Sequence, residues 1–282
     1  MKTTIANERI LVFQPELSLD EAKDIAWQKK IDAFGAVNKV ASFLSKPKDD
    51  DFELVYSESR LQPFWHVMGE AHYVYDRNNE YHWSVSGEEV QSVTIDGKKY
   101  PVSGGKVSFK ATDHCEQETH EEVFMDGLTG QRSERLREYL TFATQEVSKE
   151  DLEKLSKTDQ IIIPPEARVS VVVREVMAHS VKVIQADEIF EESINLSRVD
   201  LYYRPVYAFQ FRWISKNKEA IIEIDGVTGK VSTGSQMFKK YLGKALDRDF
   251  LFDLGADAAG MFIPGGSIAV KVAKKVMDRK KK

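Results

Sequence analysis

Two stretches of the chain alternate between apolar and polar residues with the period of two that is typical of a half-buried β-strand. The first runs through Trp65–Tyr73, and the second runs through Tyr207–Trp213. A polar run at Lys216–Glu219 follows the second stretch and predicts a hairpin turn, after which an apolar strand returns. The alternation therefore predicts two strand-rich regions far apart in the sequence.

The segments before these strand-rich regions carry different signals. Ser18 is followed three residues later by Glu21, and this capping box predicts the start of a helix. At the corresponding place in the second half, the valine-rich run Val169–Val176 favours a strand up to about Val176. The next acidic run, Asp187–Ser193, favours a helix.

The motif Asp-Gly-x-Thr-Gly occurs twice, at Asp126–Gly130 and at Asp225–Gly229. Two further pairs of similar segments occur in the same order along the chain. They are Ile10–Glu16 with Gln160–Glu166, and Ser59–Val67 with Leu201–Phe209. Together they predict an internal duplication. The alternative is that short strands with Pro and Asp-Gly turns recur independently.

The repeat predicts the fold class α+β, with two related modules that each pack a helix on an antiparallel sheet. We place the first module at residues 1–155, with a β-rich insertion at about 78–120. The second module covers residues 156–245, and a C-terminal helical segment with a basic tail covers 246–282.

The doubled motif is explained by turn chemistry. An Asp side chain accepts hydrogen bonds from backbone N–H groups just after it, and Gly supplies a positive φ. A phosphate-binding loop would lead into a helix, whereas a strand-like run follows Gly229. The motif therefore predicts two turns rather than two anion sites.

The order of these elements resembles the PepSY family. The likeness rests on the helix-forming segment SLDEAKDIAWQKKIDAFG at residues 18–35 and on YAFQFRW…KEAIIEIDGVTGKV, with the best match at residues 207–231. The resemblance implies two non-catalytic modules that bind or restrain other proteins, often at the cell envelope.

Composition narrows the function classes. A net charge of −5 and a pI of about 5.8 argue against a general nucleic-acid binder, which needs a basic surface. The single cysteine excludes an internal disulfide and fits a reducing compartment. Charges at Glu8 and Arg9 interrupt any signal-peptide core, and no long uncharged apolar run is present. We therefore expect a cytoplasmic protein.

Candidate chemistry is sparse. His114, Cys115 and His120 are zinc-ligand types in the stretch DHCEQETH, and they could also serve a hydrolase, although their spacing matches no standard site. No Walker, dinucleotide or Gly-x-Ser-x-Gly pattern is present. We expect no cofactor, and the sequence favours a non-catalytic protein over an enzyme.

The C-terminus carries seven basic residues against one acidic residue between Lys271 and Lys282. A basic amphipathic helix at 267–282, with Lys271, Lys274 and Lys275, predicts binding to an anionic membrane surface and a membrane-peripheral location. The alternative is a docked helix with a solvated lysine tail.

The first functional hypothesis is a non-catalytic binding or regulatory protein that acts through protein–protein contacts. Aromatic residues on the strands would supply the contact surface, with Trp65, Tyr73, Tyr207 and Trp213 as candidates. The second hypothesis is membrane-surface or assembly association through the basic tail. The third is a metal-binding protein or hydrolase centred on Cys115. The oligomeric state is left open.

Overall fold

The computed structural model describes residues 2–35, 47–155 and 160–233. The strands are β1 Lys2–Ile5, β2 Glu8–Phe13, β3 Phe52–Ser84, β4 Ser92–Ile95, β5 Lys98–Ser103, β6 Lys106–Asp126, β7 Thr144–Val147, β8 Gln160–Ile162, β9 Glu188–Trp213, β10 Lys218–Asp225 and β11 Val231–Thr233. The α-helices are α1 Leu19–Lys29, α2 Lys149–Leu155 and α3 Val169–Ser180. Short 3-10 helices lie at Lys30–Phe34, Asp49–Asp51, Glu134–Thr141 and Ile214–Lys216.

The long strands β3 and β9 form the centre of one mixed sheet of 11 strands. They pair antiparallel from Phe52 opposite Trp213 to Asp76 opposite Glu188. On its outer side, β3 is flanked by β8 and then by β6, and β9 is flanked by β10, β2 and β1. β5 and β4 extend the sheet beyond β6, and β11 extends it beyond β10.

This sheet shows that the predicted fold class was wrong. The prediction gave each half its own sheet with its own helix, but the strands of both halves share one sheet because β3 and β9 pair along most of their length. Strand structure dominates the described residues. The period-two alternation indicated strands at Trp65–Tyr73 and Tyr207–Trp213, but no local pattern shows that the two longest strands pair with each other.

The helices α1 and α3 also differ from the prediction, because each packs on strands from the other half. α1 carries Ala22 and Ala26 into a cluster with Phe209, Phe211 and Trp213 of β9. α3 carries four valines onto β3 and β6, where they pack against a cluster that includes Trp65, Val67 and Val123. Neither half therefore encloses its own core.

α3 overturns the prediction of a strand up to about Val176. The helix begins at Val169, and its buried valines recur at helical spacing: Val169, Val172, Val173 and Val176. A strand would bury every second residue, whereas this spacing buries one helical face against the sheet. Tertiary burial thus outweighs the strand preference of valine. The predicted helix at Asp187–Ser193 is likewise wrong, because β9 begins at Glu188.

The capping box at the start of α1 is confirmed. The Ser18 hydroxyl accepts a hydrogen bond from the Glu21 backbone N–H, and the Ser18 backbone N–H donates to the Glu21 carboxylate. The predicted hairpin turn after Trp213 is also confirmed, with Asn217 in the left-handed conformation before β10.

Corresponding positions in the two halves make corresponding contacts. Pro63 lies opposite Tyr203, and Pro205 lies opposite Leu61, so the β3–β9 pairing is symmetric about Gln62 and Arg204. The Trp65 indole N–H donates to the Ala167 carbonyl at 2.8 Å. At the matching position, the Tyr207 hydroxyl donates to the Leu17 carbonyl, also at 2.8 Å. Such matched contacts are what a duplicated chain would give, and the duplication stays a prediction about origin.

The two Asp-Gly-x-Thr-Gly segments are turns, as predicted. Asp126 accepts hydrogen bonds from the backbone N–H groups of the second and third residues after it, and Asp225 does the same. Gly130 and Gly229 have φ values of 67° and 69°, which L side chains rarely adopt. The motif therefore encodes the same turn twice.

Of the predicted divisions of the chain, the boundary at 155 falls immediately before residues 156–159, which are not described. Residues 78–120 form the outer part of β3, the strands β4 and β5, and most of β6. The predicted C-terminal segment, 246–282, lies outside the described residues.

Candidate functional site

The β3–β6 hairpin extends beyond the rest of the sheet. β9 accompanies β3 only as far as Asp76, whereas β3 and β6 continue together to Ser84 opposite Lys106. On its outer side, β6 pairs with β5 only at Lys106 and Val107. In the part of the chain that the structure describes, no strand pairs with this outer side from 108 to 122. This segment is a long sheet edge with free backbone positions.

The register of β3 against β6 is unbroken, so alternate residues of both strands share a face. α3 covers one face near Gly69, where an added Cβ would lie 2.5 Å from Val176. The opposite face carries histidines and carboxylates, and we call it the histidine face. Its central residues are Glu70, His72, Glu116, Glu118 and His120 from β3 and β6, together with Glu191 from β9.

His72 lies at the centre of this face, between carboxylates on two neighbouring strands. Its Nε2 is 3.0 Å from Oε1 of Glu116 on β6, and its Nδ1 is 3.6 Å from Oε1 of Glu191 on β9. The hydrogen bond with Glu116 raises the pKa of His72 above its usual value, and the Glu191 charge acts in the same direction. Ligand atoms of His72, Glu116 and Glu118 all lie within 4.8 Å of one another.

His120 continues the arrangement along β6. Its Nε2 is 3.8 Å from Oε2 of Glu118, and its Nδ1 is 3.7 Å from Oε1 of Glu70. Both nitrogen–oxygen distances exceed a normal hydrogen bond, so these contacts are electrostatic only. In the described chain, the ion-pair partners of these glutamates are histidines, with no lysine or arginine among them. The histidine face therefore has an excess of negative charge at neutral pH.

On the other face of this hairpin, the one that α3 partly covers, the acidic side chains Asp113 and Glu121 are paired with arginine. Asp113 accepts hydrogen bonds from Arg77, Asn79 and Tyr81, and the bond from Tyr81 is the largest of the effects that lower the Asp113 pKa. Glu121 pairs with Arg132 at 3.0 Å. The unbalanced acidic charge of the hairpin is thus concentrated on the histidine face.

The structure does not bring together the three residues predicted as weak metal ligands. His114 and His120 share the histidine face but are six residues apart, which is about 20 Å along a strand. Cys115 points to the opposite face, where its thiol contacts the Asp113 carbonyl at 3.7 Å. His114 pairs with Asp76 at 2.7 Å and is 82% exposed. The strand alternation explains why sequence neighbours point apart.

The aromatic residues predicted as a contact surface lie in the core. Trp65, Tyr73, Tyr207 and Trp213 are all buried, with at most 6% of their surface exposed. They pack under α1 and α3, which cover this face of the sheet. Lys271, Lys274 and Lys275 lie outside the described residues, as does the whole 267–282 segment.

Two exposed aromatic residues lie at the tip of the hairpin instead. Trp83 is 62% exposed, and Tyr81, two residues before it, is 43% exposed. Both rings contact Phe109 on β6, and Tyr100 on β5 contacts Phe109 from the edge. The signal in the sequence was the alternation of Tyr81 and Trp83 within the predicted β-rich insertion, whereas the contact with Phe109 depends on the strand register.

A buried charge cluster lies on the histidine-face side of the sheet, at the centre of the β3–β9 pair. Arg204 pairs with Asp225 and donates to the hydroxyl of Tyr139 at 2.8 Å and to Gln62 at 3.1 Å. Burial alone would raise the pKa of Asp225. The Arg204 charge and the hydrogen bond from Tyr139 outweigh this effect, so the pKa of Asp225 lies below its usual value. These side chains satisfy one another and hold the second turn against the sheet.

Comparison of the chain with models of known protein families, with curated proteins and with solved structures found no match. The resemblance to PepSY modules stays a prediction from the motif at residues 207–231. Among the described helices, none is long and apolar enough to span a membrane.

Proposed function

We propose that this chain is a non-catalytic protein-binding protein, and that its partner adds an extended basic segment to the outer edge of β6. The observation that supports this proposal is the free edge at residues 108–122, which no described strand occupies. A sheet edge presents a row of backbone N–H and C=O groups that an incoming strand can pair with. The contact surface is then the accessible backbone edge of β6, since the aromatic residues predicted as a contact surface are buried.

The charge of this edge specifies the partner. Glu116 and Glu118 are two residues apart on the histidine face, and within the described residues they form ion pairs with histidines alone. A strand added beside β6 would place alternate side chains on that same face. A partner segment with Lys or Arg at alternate positions would therefore meet these carboxylates, as complementary cross-strand pairs require.

The hairpin tip offers an anchor at one end of the free edge. Trp83 is paired with Val107, immediately before the edge begins at Ser108. Large exposed aromatic residues beside a binding edge are typical positions of high contact energy. We therefore expect an apolar residue of the partner to contact Trp83, next to its basic alternating segment.

The direct test uses a fluorescently labelled ten-residue peptide in which lysine and threonine alternate, with anisotropy as the readout. We expect saturable binding that weakens with added salt. Replacing both carboxylates, Glu116→Gln with Glu118→Gln, is expected to weaken binding about fivefold or more, since an exposed pair contributes up to about 1 kcal/mol. The matched control, Asp20→Asn with Asp24→Asn, removes the same charge from exposed positions of α1 and is expected to bind normally.

A second peptide separates strand pairing from simple charge attraction. N-methylation at alternate residues keeps the charge and removes the backbone donors that would pair with β6. We expect the methylated peptide to lose binding. Equal binding of the two peptides would contradict strand addition. Stronger peptide binding after deletion of residues 267–282 would instead identify the chain's own basic tail as the occupant.

A further inference from the structure

We propose that His72, Glu116 and Glu118 form a binding site for one divalent transition-metal ion, of the class that Zn²⁺ represents. This inference goes beyond the proposed peptide binding and does not depend on it. Its basis is the convergence of one imidazole and two carboxylates, whose ligand atoms lie within 4.8 Å of one another. Donor atoms at such separations can move onto one metal ion by small rotations of exposed side chains.

The three ligands come from two adjacent strands with a fixed register. His72 lies directly opposite Glu118, and Val74 lies opposite Glu116, so the two carboxylates flank the imidazole on the β6 side. The strand pairing sets these positions without a loop or a flexible segment. A site on paired strands is held more firmly than one built on loops.

A further carboxylate approaches the imidazole from the other side. Glu191 of β9 faces Nδ1 of His72 at 3.6 Å, whereas Nε2 faces Glu116 at 3.0 Å. Metal-binding histidines commonly donate their second N–H to a carboxylate, which fixes the tautomer and orients the ring. At 3.6 Å this contact is longer than a hydrogen bond, but a small rotation of the exposed Glu191 side chain would let it accept the Nδ1–H. Glu191 is therefore assigned as a positioning residue for His72, on the side of the imidazole away from β6.

The electrostatics of the face favour a cation. Four glutamates surround His72 and His120, and no lysine or arginine pairs with them in the described chain. Like charges on neighbouring strand positions repel, so a divalent ion would relieve that repulsion. Nitrogen and carboxylate ligands together suit first-row transition metals better than Ca²⁺ or Mg²⁺, which prefer oxygen ligands alone.

Isothermal titration of the full chain with Zn²⁺ alone tests the site. We expect one saturable site, and His72→Asn is expected to weaken it at least tenfold while leaving all four carboxylates in place. The matched control is His114→Asn, since His114 is an exposed histidine on the same face that pairs with Asp76 outside the cluster. We expect the control to bind Zn²⁺ as the unmodified chain does.

Two further measurements examine the roles of the side chains. Glu191→Gln is expected to lower the affinity about tenfold without changing the stoichiometry, as the loss of an orienting carboxylate does. Affinity is expected to fall from pH 7.5 to pH 5.5, because a metal binds only the neutral imidazole. Circular dichroism verifies that each variant is folded.

Three results would overturn the proposal. These are the absence of saturable Zn²⁺ binding, an equal loss in His72→Asn and His114→Asn, and equally tight binding of Mg²⁺. The last two would indicate general attraction of cations to the acidic edge. Failure of the peptide experiments leaves this test unaffected, because His72→Asn preserves the charge of Glu116 and Glu118 and the titration contains no peptide.

Discussion

The turns at Asp126 and Asp225 have the same hydrogen bonds but different surroundings. Each Asp caps two backbone N–H groups, and each following Gly donates to the carbonyl of a proline on a long strand, Pro63 or Pro205. Only Asp225 also binds Arg204 and Tyr139. Gln62 on β3 occupies the position that matches Arg204 on β9, so these two symmetry-related positions provide one cation for the two turns. Similar local sequence thus fixes similar local geometry, while the energetic role depends on a distant residue.

The largest expected difference between the two turns comes from removing each aspartate. Asp225→Ala is expected to lower the free energy of unfolding by about 3–5 kcal/mol, because it leaves the largely buried Arg204 without its partner. Asp126→Ala is expected to cost about 1 kcal/mol, the usual cost of a lost backbone cap. Urea unfolding of both variants measures the difference. Equal losses would mean that the Arg204 pair adds nothing to the turn.

The glycines that follow the aspartates are expected to differ next most. At Gly127, an added Cβ would lie 2.5 Å from the Pro63 carbonyl oxygen, which is backbone and cannot move aside. At Gly226, the closest atom would be Cε2 of Tyr207 at 3.0 Å, and a ring can shift. We expect Gly127→Ala to cost about 2–3 kcal/mol and Gly226→Ala about 1 kcal/mol. The opposite order in thermal unfolding would contradict this close approach.

The matched aromatic donors provide a smaller test. Tyr207→Phe removes only the hydrogen bond to the Leu17 carbonyl and is expected to cost about 1 kcal/mol. Trp65→Phe removes the bond to Ala167 and also part of a fully buried ring, so it is expected to cost about 2 kcal/mol or more. Chemical denaturation compares the two variants. If Tyr207→Phe proves to be neutral, its bond does not hold the segment before α1.

Acid titration isolates the charge contribution at the second turn. The pKa of Asp225 is lower in the folded chain than its usual value of about 3.9. Its ionisation therefore contributes stability above about pH 4. That contribution is lost as the pH falls through the lower, folded-state pKa.

The measured quantity is the free energy of unfolding of the unmodified chain minus that of Asp225→Asn. Urea unfolding determines this difference at several pH values between pH 6 and pH 3. We expect this difference to shrink as the pH falls. A constant difference across the range would mean that the Asp225 charge makes no contribution and that only its shape matters.

Predictions from the sequence succeeded for several features that depend on neighbouring residues, and they failed for features that depend on contacts between distant segments. The capping box at Ser18, the two turns and the hairpin before β10 follow from interactions within a few residues, so their signals lie in the sequence itself. The single sheet depends on the pairing of β3 with β9, and α3 depends on a surface contributed by β3 and β6. Neither of these long-range contacts leaves a periodic signal in the chain.

The candidate site shows the same division. The spacing of Glu116, Glu118 and His120 on alternate positions of one strand was visible in the sequence, and strand alternation alone separates them from Cys115. The contributions of His72 and Glu191 required the register of β3 and β9. The free edge of β6 is a property of the assembled sheet, since any strand can be central or peripheral.

The exchange of helices between the halves has a consequence for the order of events during synthesis. The ribosome makes α1 early, but the β9 and β10 residues that it covers are made about 200 residues later. At about 5–20 residues per second, the apolar side of α1 waits roughly 10–40 s for its partner. The nascent chain must remain soluble through that interval, and the first half cannot complete its core before the second half has left the ribosome.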